Sequence, residues 1–380
     1  MKIGIDFRPV LFSRTGIARY VGEVVSGLGR LGASDLDLRL FGDAWSREID
    51  PARAARIVRE GRATLVRRRF PGRLQRFLGP LGGTVARRLG VDLFHVTDLA
   101  VPPLGDVPLV ITIHDLAYEV DPSFHGAAFR RDVPARVRRV IDRAARVVTP
   151  SEETARQLRD RYGVEEPRLA VIPHAADHVR DPVDVAAAEE VGAWLSRAGV
   201  ASPFVLSVGT IEPRKNHLRL LDAFERFAEG RSHTLVVAGS WGWEVDAVRE
   251  RMSPMVEAGR VVHLDAFEDR LLPGLYDAAE SMVYPSLYEG FGLPVLEAME
   301  RGCPVVTTSG GALGEVAGDA AVIVDGTDVA ALAGALGRVA DDPALRRDLA
   351  GRGRRRAAAF SWRRSAEAHL DLYRDVLAGR

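Results

Sequence analysis

Two glutamates eight positions apart are the residues of this chain best suited to chemistry on a charged, hydroxylated ligand. Glu289 and Glu297 enclose the segment Gly-Phe-Gly-Leu-Pro-Val-Leu, which follows an apolar run typical of a buried strand. Glycines let backbone N–H groups approach a ligand closely, and proline is favoured where a helix begins. The N-terminus of that helix attracts anions, and carboxylates accept hydrogen bonds from hydroxyl groups. The segment therefore predicts a site for an anion flanked by hydroxyls, as in a nucleotide-sugar.

A simpler interpretation of the same segment is a strand-to-helix turn in which Glu297 only stabilises the positive end of the helix. The glycines alone favour this simpler interpretation. The spaced pair of glutamates is more specific and favours a ligand site.

Further polar residues follow other predicted strands, at positions where open α/β sheets bind ligands. His114 and Asp115 follow one apolar run, Arg214 and Lys215 follow another, and Gly16 opens a helical pattern after the first predicted strand. Each of these features also has a simpler explanation in its local sequence. The histidine would be a polar loop residue, the two cations a solvated surface pair, and the glycine an ordinary helix start.

Short apolar, β-branched runs alternate with helical patterns, which indicates an α/β fold with parallel sheets buried on both faces. The predicted strands are Lys2–Asp6, Leu93–Val96, Leu109–Ile113, Arg146–Thr149, Leu169–Ile172, Phe204–Val208, Thr234–Ala238, Val261–Leu264, Ser281–Tyr284, Pro304–Thr307 and Ala321–Val324. Eleven strands are more than a single sheet usually holds. A proline-containing linker near 175–202 separates them into two groups. We therefore expect two doubly wound lobes, roughly 1–180 and 200–360.

Composition argues against several classes of protein. The chain has 380 residues, enough for two domains, and its formal net charge of zero gives no support to nucleic-acid binding. Cys303 is the only cysteine, which excludes an intramolecular disulfide. The first residues are too polar for a signal peptide, and no apolar run approaches the roughly 18–20 residues of a spanning helix. We therefore expect a cytoplasmic enzyme.

The glutamate pair resembles the E-x7-E signature of the retaining glycosyltransferases of the GT-B fold, in the family known as group 1 or GT4. The segment Gly-Thr-Ile-Glu-Pro-Arg-Lys-Asn at 209–216 is similar to that family's usual form, and counterparts run through nearly the whole chain. The resemblance implies two Rossmann-like, doubly wound lobes facing each other across a cleft. It assigns the acceptor to lobe 1–180 and the nucleotide-sugar to lobe 200–360, with helix 361–380 packing back on the first lobe.

The resemblance also implies roles for the residues that follow strands. Arg214 and Lys215 hold the donor diphosphate, and their charges stabilise the leaving group as the glycosidic bond breaks. His114 contacts the sugar and the acceptor, and Asp115 orients the site. Glu289 faces the hydroxyls of the donor sugar.

The remaining donor contacts follow from the same resemblance. Glu297, on the first turn of the new helix, holds the ribose hydroxyls, and the loop at Gly16 reaches toward donor and acceptor. The nucleobase lies against 262–267. The backbone N–H groups that meet the sugar or diphosphate belong to Phe291, Gly292 and Leu293.

Neither a metal ion nor another cofactor is expected. The only Asp-x-Asp match, Asp35-Leu-Asp37, lies in an alternating run typical of a strand with one polar face. His174 and His178 have a spacing seen in metal sites, but no cluster of carboxylates or cysteines accompanies them. The adjacent cations and the helix beginning near Pro294 can neutralise a diphosphate in place of a metal.

Together these features predict a retaining glycosyltransferase that moves a sugar from a nucleoside diphosphate to a glycan or lipid-linked glycan. The start Ile-Asp-Phe-Arg-Pro at 5–9 looks like bacterial O-antigen mannosyltransferases, so GDP-mannose is the expected donor. Same-face displacement with retained configuration is implied by the family. Two alternatives stay open, a nucleotide-sugar epimerase and a nucleotide-sugar-binding subunit without turnover. The presence of both His114 and Glu289 favours an enzyme.

The segment 53–90 is rich in arginine, with Glu60 as its single acid and apolar residues interleaved. An arginine-rich composition, a solvated helix face or core packing would each explain it. The sharper hypothesis is a surface that touches anionic lipid at the cytoplasmic membrane face, where each basic residue contributes about 1 kcal/mol. Sedimentation with anionic and with neutral liposomes distinguishes these interpretations.

Overall fold

The computed structural model describes residues 1–43, 48–67, 85–124, 127–200, 203–265 and 267–379. This part of the chain forms two compact units. The first comprises Met1–Leu116, Arg131–His174 and the segment from Ser361, and the second comprises Ala117–Arg130 and Ala175–Phe360. The short stretch Ala117–Arg130 therefore packs with the second unit, which the sequence pattern did not predict.

The first unit is built on a parallel sheet. Its described strands are β1 (Lys2–Asp6), β2 (Asp37–Phe41), β3 (Thr64–Val66), β4 (Leu93–Val96), β5 (Leu109–Thr112), β6 (Arg146–Thr149) and β7 (Leu169–Val171). They pair in the order β3-β2-β1-β4-β5-β6-β7, and each pair is parallel. The carboxyl ends of these strands therefore meet at one edge, where α/β sheets bind ligands.

The second unit has the same architecture. Its described strands are β8 (Phe204–Val208), β9 (Thr234–Ala238), β10 (Val261–Leu264), β11 (Ser281–Tyr284), β12 (Val305–Thr307) and β13 (Val322–Ile323). They form a parallel sheet in the order β10-β9-β8-β11-β12-β13. The strand order reverses between β8 and β11, which is the point where a doubly wound sheet opens a crevice for ligands.

Sixteen α-helices are present in the described part of the chain. They are α1 (Arg8–Phe12), α2 (Gly16–Leu31), α3 (Pro51–Glu60), α4 (Val85–Leu89), α5 (Ala117–Val120), α6 (Ala127–Arg143), α7 (Glu152–Tyr162), α8 (Val185–Arg197), α9 (His217–Phe227), α10 (Asp246–Glu257), α11 (Leu272–Ala278), α12 (Leu293–Arg301), α13 (Leu313–Ala317), α14 (Val329–Asp341), α15 (Pro343–Ala357) and α16 (Trp362–Leu377). Helix α16 packs on α2 so closely that a Cβ atom on Gly27 would lie 2.9 Å from that of Ala366.

Local sequence explains where many of these helices begin. A serine or aspartate side chain accepts a hydrogen bond from a backbone N–H of the first turn, which would otherwise lack a partner. The residues that cap helices in this way are Asp50, Ser151, Asp184, Asp328, Asp342 and Ser361.

The α/β prediction is confirmed, and every strand predicted from an apolar run is present with bounds within one residue. Strand β2 covers Asp37–Phe41 of the alternating run that starts at Asp35, and the two aspartates of the run make surface ion pairs. Asp35 pairs with Arg374 at 3.1 Å, and Asp37 pairs with Arg39 at 2.7 Å. Strand β3 was missed because three residues are too few to show a period of two.

The arginine-rich segment 53–90 is only partly described. Its described residues include α3, β3 and α4, whereas 68–84 lie outside the described residues. Contact of this segment with lipid stays a prediction. Within the residues that the structure describes, no helix has both the length and the apolar character needed to cross a membrane.

Candidate active site

In the second unit, Glu289, Arg214 and Lys215 form one ion-paired cluster beyond the ends of β8 and β11. Arg214 Nη1 donates to Glu289 Oε2 at 2.6 Å, and Lys215 Nζ donates to Glu289 Oε1 at 2.6 Å. The cations lie on a 3-10 turn after β8, and Glu289 lies on the loop between β11 and α12. Because β8 and β11 are neighbours in the sheet, these sequence-distant residues meet.

Arg214 also donates to a backbone carbonyl and to a second carboxylate. Its Nη1 also donates to the carbonyl oxygen of Tyr288 at 2.9 Å, and its Nη2 donates to Glu212 Oε1 at 2.7 Å. The side chains of Arg214 and Glu289 are only 13% and 8% exposed. Charge-assisted hydrogen bonds are stronger in such a dry environment than on the surface, so the guanidinium is held in one orientation.

Two hydroxyl groups complete the contacts of Glu289. Tyr284 OH donates to Oε1 at 3.1 Å, and Ser286 Oγ donates to the same oxygen. Lys215 Nζ donates to Tyr284 OH at 2.5 Å and lies 4.9 Å from the centre of its ring. The sequence pattern predicts no role for Tyr284, Ser286 or Glu212, although all three lie in the segments 209–216 and 284–297 that contain the predicted site residues.

Burial and neighbouring charges shift the pKa values of residues in this cluster. Burial alone would raise the pKa of Glu289, but the charges of Arg214 and Lys215 outweigh it and lower that pKa to about 2. Burial lowers the pKa of Lys215 and raises the pKa of Glu212. Glu289 is therefore a carboxylate at neutral pH, and its negative charge neutralises cations that a diphosphate could also engage.

The loop after Glu289 leads into α12 through Gly292. This residue has a φ of 100°, which side chains other than glycine rarely adopt, and a Cβ atom there would lie 2.6 Å from Leu313 Cδ2. Helix α12 begins at Leu293, one residue before the predicted Pro294. The N–H of Leu293 has no acceptor within the helix, so this end can attract an anion. Ligand contacts of Phe291, Gly292 and Leu293 stay predictions.

Glu297 lies on α12 but not on its first turn, because the helix begins at Leu293 and Glu297 is its fifth residue. Its side chain is buried and accepts hydrogen bonds from its neighbours. Tyr276 OH donates to Oε2 at 3.0 Å, and His178 Nε2 donates to Oε1 at 3.0 Å. The sequence points to His178 only through its spacing from His174, and no local pattern points to Tyr276. The structure therefore pairs His178 with a carboxylate, and the ribose contact of Glu297 stays a prediction.

Near 262–267, the segment predicted to meet the nucleobase, aromatic rings gather at the edge strand β10. The ring of Trp241 packs edge-on against His263 with centroids 4.6 Å apart, and Arg249 stacks over Trp241 at 3.8 Å. His263 Nε2 donates to the carbonyl oxygen of Gly239 at 2.7 Å. Trp241 was not predicted, because no local pattern places it beside β10.

In the first unit, Gly16 and His114 lie at the same edge of the sheet. Gly16 is the exposed first residue of α2, after β1, and His114 follows β5. His114 Nε2 donates to the carbonyl oxygen of Thr97 at 3.1 Å. Burial lowers the pKa of His114, so its ring is neutral at pH 7 and Nδ1 carries the lone pair. His114 can therefore accept a hydrogen bond from a hydroxyl group at Nδ1.

Three buried histidines lie behind His114 in the same unit. The ring of His174 contacts that of His114 at 5.6 Å and stacks on Trp362 at 5.8 Å, while His95 stacks on His369 at 5.6 Å. Burial lowers the pKa of His95 and His174 well below the ordinary value and that of His369 to about 4. These rings are neutral and pack as core side chains. In the described ranges no group of three or more His, Cys, Asp or Glu residues could hold a metal ion.

The low pKa of His369 predicts that stability falls on acidification. Below about pH 6.5 the unfolded chain binds a proton that the folded protein excludes, so the contribution present above that pH is lost as the pH falls toward 4. From pH 6.5 to pH 5 we expect a loss of about 2 kcal/mol from His369 alone. Urea unfolding at both pH values measures it. His369→Gln should show a shallower pH dependence; an unchanged slope would contradict the assignment.

Comparison with known proteins identifies the family. The sequence matches the family described as glycosyl transferases group 1 over residues 196–356 and glycosyltransferase family 4 over residues 14–180. The D-inositol 3-phosphate glycosyltransferase of Salinispora arenicola is 31% identical over 96% of this chain and 88% of its own. The chain belongs to the family 4 glycosyltransferases. The O-antigen chain mannosyltransferase B of Escherichia coli is 29% identical to this glycosyltransferase over 98% of the chain and the whole relative.

Solved structures agree on the fold of this glycosyltransferase. The HepE protein of Anabaena, in complex with UDP and glucose, superimposes with a TM-score of 0.74 at 18% identity and covers 99% of this chain and 100% of its own. The two parallel sheets and the family together show a GT-B glycosyltransferase, as predicted. Membership in a family of glycosyltransferases favours a transferase over the alternative of a nucleotide-sugar epimerase.

Proposed function

We propose that this enzyme transfers a hexose, with mannose from GDP-mannose as the first candidate, to a glycan or lipid-linked glycan acceptor and retains the configuration of the sugar. The observation that carries the proposal is the Arg214–Lys215–Glu289 cluster beside the N-terminus of α12. The names of two similar proteins support parts of this proposal. Mannose as the transferred sugar is supported by the name of O-antigen chain mannosyltransferase B. A nucleoside diphosphate donor is supported by the structure of HepE in complex with UDP and glucose.

The ion pairs suggest how a donor would enter the cluster. Without a donor, Glu289 is the counter-ion of both cations. A diphosphate carries more charge and more acceptor oxygens than one carboxylate, so it would take over Arg214 and Lys215. Glu289 would then be free to accept hydrogen bonds from the hydroxyls of the donor sugar. Donor binding would thus move the two cations from the carboxylate of Glu289 to the diphosphate.

The reaction proposed at this site has one displacement. The bond between the anomeric carbon and the diphosphate oxygen breaks, and a bond from the acceptor oxygen to that carbon forms on the same face. The proton of the acceptor hydroxyl passes to the departing phosphate oxygen. Arg214, Lys215 and the α12 N-terminus stabilise the negative charge that develops on the diphosphate, which lowers the barrier. His114 accepts a hydrogen bond from a substrate hydroxyl at Nδ1, and Glu297 binds the ribose.

A donor panel tests the proposal directly. The purified enzyme is incubated with several nucleotide-sugars, and release of nucleoside diphosphate is measured with and without glycan acceptors. GDP-mannose should give the fastest release, and NMR of the product should show the anomeric configuration of the donor. Faster release from another donor would correct the sugar, whereas an inverted product would overturn the proposed displacement.

The proposal also predicts that activity survives removal of divalent metal ions. Two buried cations and a helix N-terminus already face the place proposed for the diphosphate, so no metal charge is required there. Turnover after dialysis against EDTA should remain within about twofold of the untreated rate, a change too small to reflect a lost electrostatic contact. Loss of activity that added Mg²⁺ or Mn²⁺ restores would contradict this prediction.

A further inference from the structure

Tyr20 is a buried residue of the first unit that the proposed reaction does not use, yet it touches His114. It lies on α2 and is fully buried. Its ring packs edge-on against the His114 ring, with centroids 5.0 Å apart and an interplanar angle of 81°. It also contacts the ring of His174 at 4.8 Å. Tyr20 thus forms part of the wall against which the imidazole of His114 rests.

The hydroxyl of Tyr20 is held by two partners, Thr112 Oγ1 at 2.8 Å and His369 Nε2 at 2.9 Å. Their direction follows from the far side of His369, whose Nδ1 donates to the carbonyl oxygen of Ser365 at 2.7 Å. The neutral ring therefore has its lone pair on Nε2. Tyr20 must donate to His369 and accept from Thr112.

The chain of hydrogen bonds continues from Thr112 to His95. Because Thr112 donates to Tyr20, its oxygen accepts from His95 Nε2 at 2.8 Å. His95 Nδ1 then accepts from Tyr373 OH at 2.7 Å. The chain runs in one direction from Tyr373 on α16, through β4, β5 and α2, and back to His369 on α16. The two bonds of the Tyr20 hydroxyl, to Thr112 and His369, hold its ring, because turning it would leave buried polar groups unpaired.

His114 needs such support because its own hydrogen bonding is limited. The Nε2 bond to the carbonyl of Thr97 orients one end of the ring, while Nδ1 is left for a substrate hydroxyl. A ring flip would exchange the two nitrogens and remove the lone pair from the position where it is used. The edge-on contact with Tyr20 opposes that flip.

We propose that Tyr20 is a positioning residue for His114, and that helix α16 holds Tyr20 in place through His369. This inference rests on the role proposed for His114. Helix α16 would then help to keep Nδ1 of His114 facing the substrate, in addition to packing on α2.

Two substitutions that each remove one buried tyrosine hydroxyl from the same chain of hydrogen bonds test the proposal. Tyr20→Phe removes the hydroxyl beside His114, whereas Tyr373→Phe removes the one at the far end and leaves Tyr20 and His369 paired. Tyr20→Phe should lower kcat about tenfold with an almost unchanged KM for the donor, as expected when a catalytic group is misplaced. Tyr373→Phe should keep kcat within about twofold.

A measurement without substrate separates this inference from the proposed function. ¹⁵N NMR of the imidazoles, with His114 assigned through His114→Asn, should show His114 protonated at Nε2 in the wild type and in Tyr373→Phe. Tyr20→Phe should show a mixture of the two tautomers. If the wild type transferred no sugar, the proposed function would fail and the NMR result would still decide the positioning role. A Tyr20→Phe spectrum like the wild type, or equal losses of kcat in both variants, would overturn it.

Discussion

Replacing Lys215 with alanine should lower turnover by roughly 100-fold or more, the effect of losing one electrostatic contact with a transition state. The ammonium lies 2.6 Å from Glu289 and is 13% exposed, so its charge acts in a dry environment. The alanine variant would leave the departing diphosphate with Arg214 and the α12 N-terminus alone. Initial rates of nucleoside diphosphate release measure the effect.

The chain provides its own control, because Lys2 is the only other lysine and is exposed at the start of β1. Lys2→Ala should leave turnover unchanged. A rate near the wild-type value for Lys215→Ala would remove Lys215 from the site.

The scarcity of lysine also allows a binding test that needs no turnover. An amine-reactive reagent can modify only Lys2, Lys215 and the N-terminal amine. GDP should slow the modification of Lys215, as followed by peptide mass spectrometry, and should leave Lys2 unaffected. Equal rates at Lys215 with and without nucleotide would mean that the diphosphate binds elsewhere.

Replacing Glu289 with glutamine should reduce both turnover and stability. Turnover should fall roughly 100-fold or more, because the amide is a weaker partner for the sugar hydroxyls as charge develops. Stability should fall by about 3 kcal/mol near neutral pH, because two buried cations lose their counter-ion. The pKa near 2 means that this contribution is complete above pH 4.5 and is lost as the pH falls toward 2. Initial rates and urea unfolding at pH 7 measure the two effects.

Glu212→Gln is the matched comparison, since Glu212 also pairs with Arg214 at 2.7 Å. Burial raises the pKa of Glu212, so neutralising it costs less than neutralising Glu289. We expect Glu212→Gln to destabilise by no more than about 1 kcal/mol. Equal destabilisation by the two substitutions would show that Glu289 is not the principal counter-ion.

Much of the fold could be predicted from sequence because parallel strands buried on both faces leave a local signature. Runs such as Phe204–Val208 and Ser281–Tyr284 are apolar throughout, and polar residues follow where they end. The short strand Thr64–Val66 has no such signature. The stretch Ala117–Arg130 packs with the second unit although it precedes most of that unit in the chain, because unit membership depends on packing and not on position.

At the candidate site, too, the residue types could be predicted from the sequence and their contacts could not. The types of its residues were visible, since Arg214, Lys215 and Glu289 stand in recognisable segments after strands. Their pairing was not visible, because it depends on β8 and β11 being neighbours in the sheet. The sequence pattern also placed Glu297 on the first helical turn, whereas in the structure it is the fifth residue of the helix, with hydrogen bonds to Tyr276 and His178.

By itself the sequence determined the α/β class, the family and the types of residue available at the candidate site, because residue type and local spacing encode backbone conformation and the chemistry that side chains offer. Only the tertiary structure decided which charges neutralise each other and which nitrogen of His114 carries the lone pair. Those properties depend on distances between side chains that are far apart in the chain, such as Tyr20 and His369, and on how deeply each is buried.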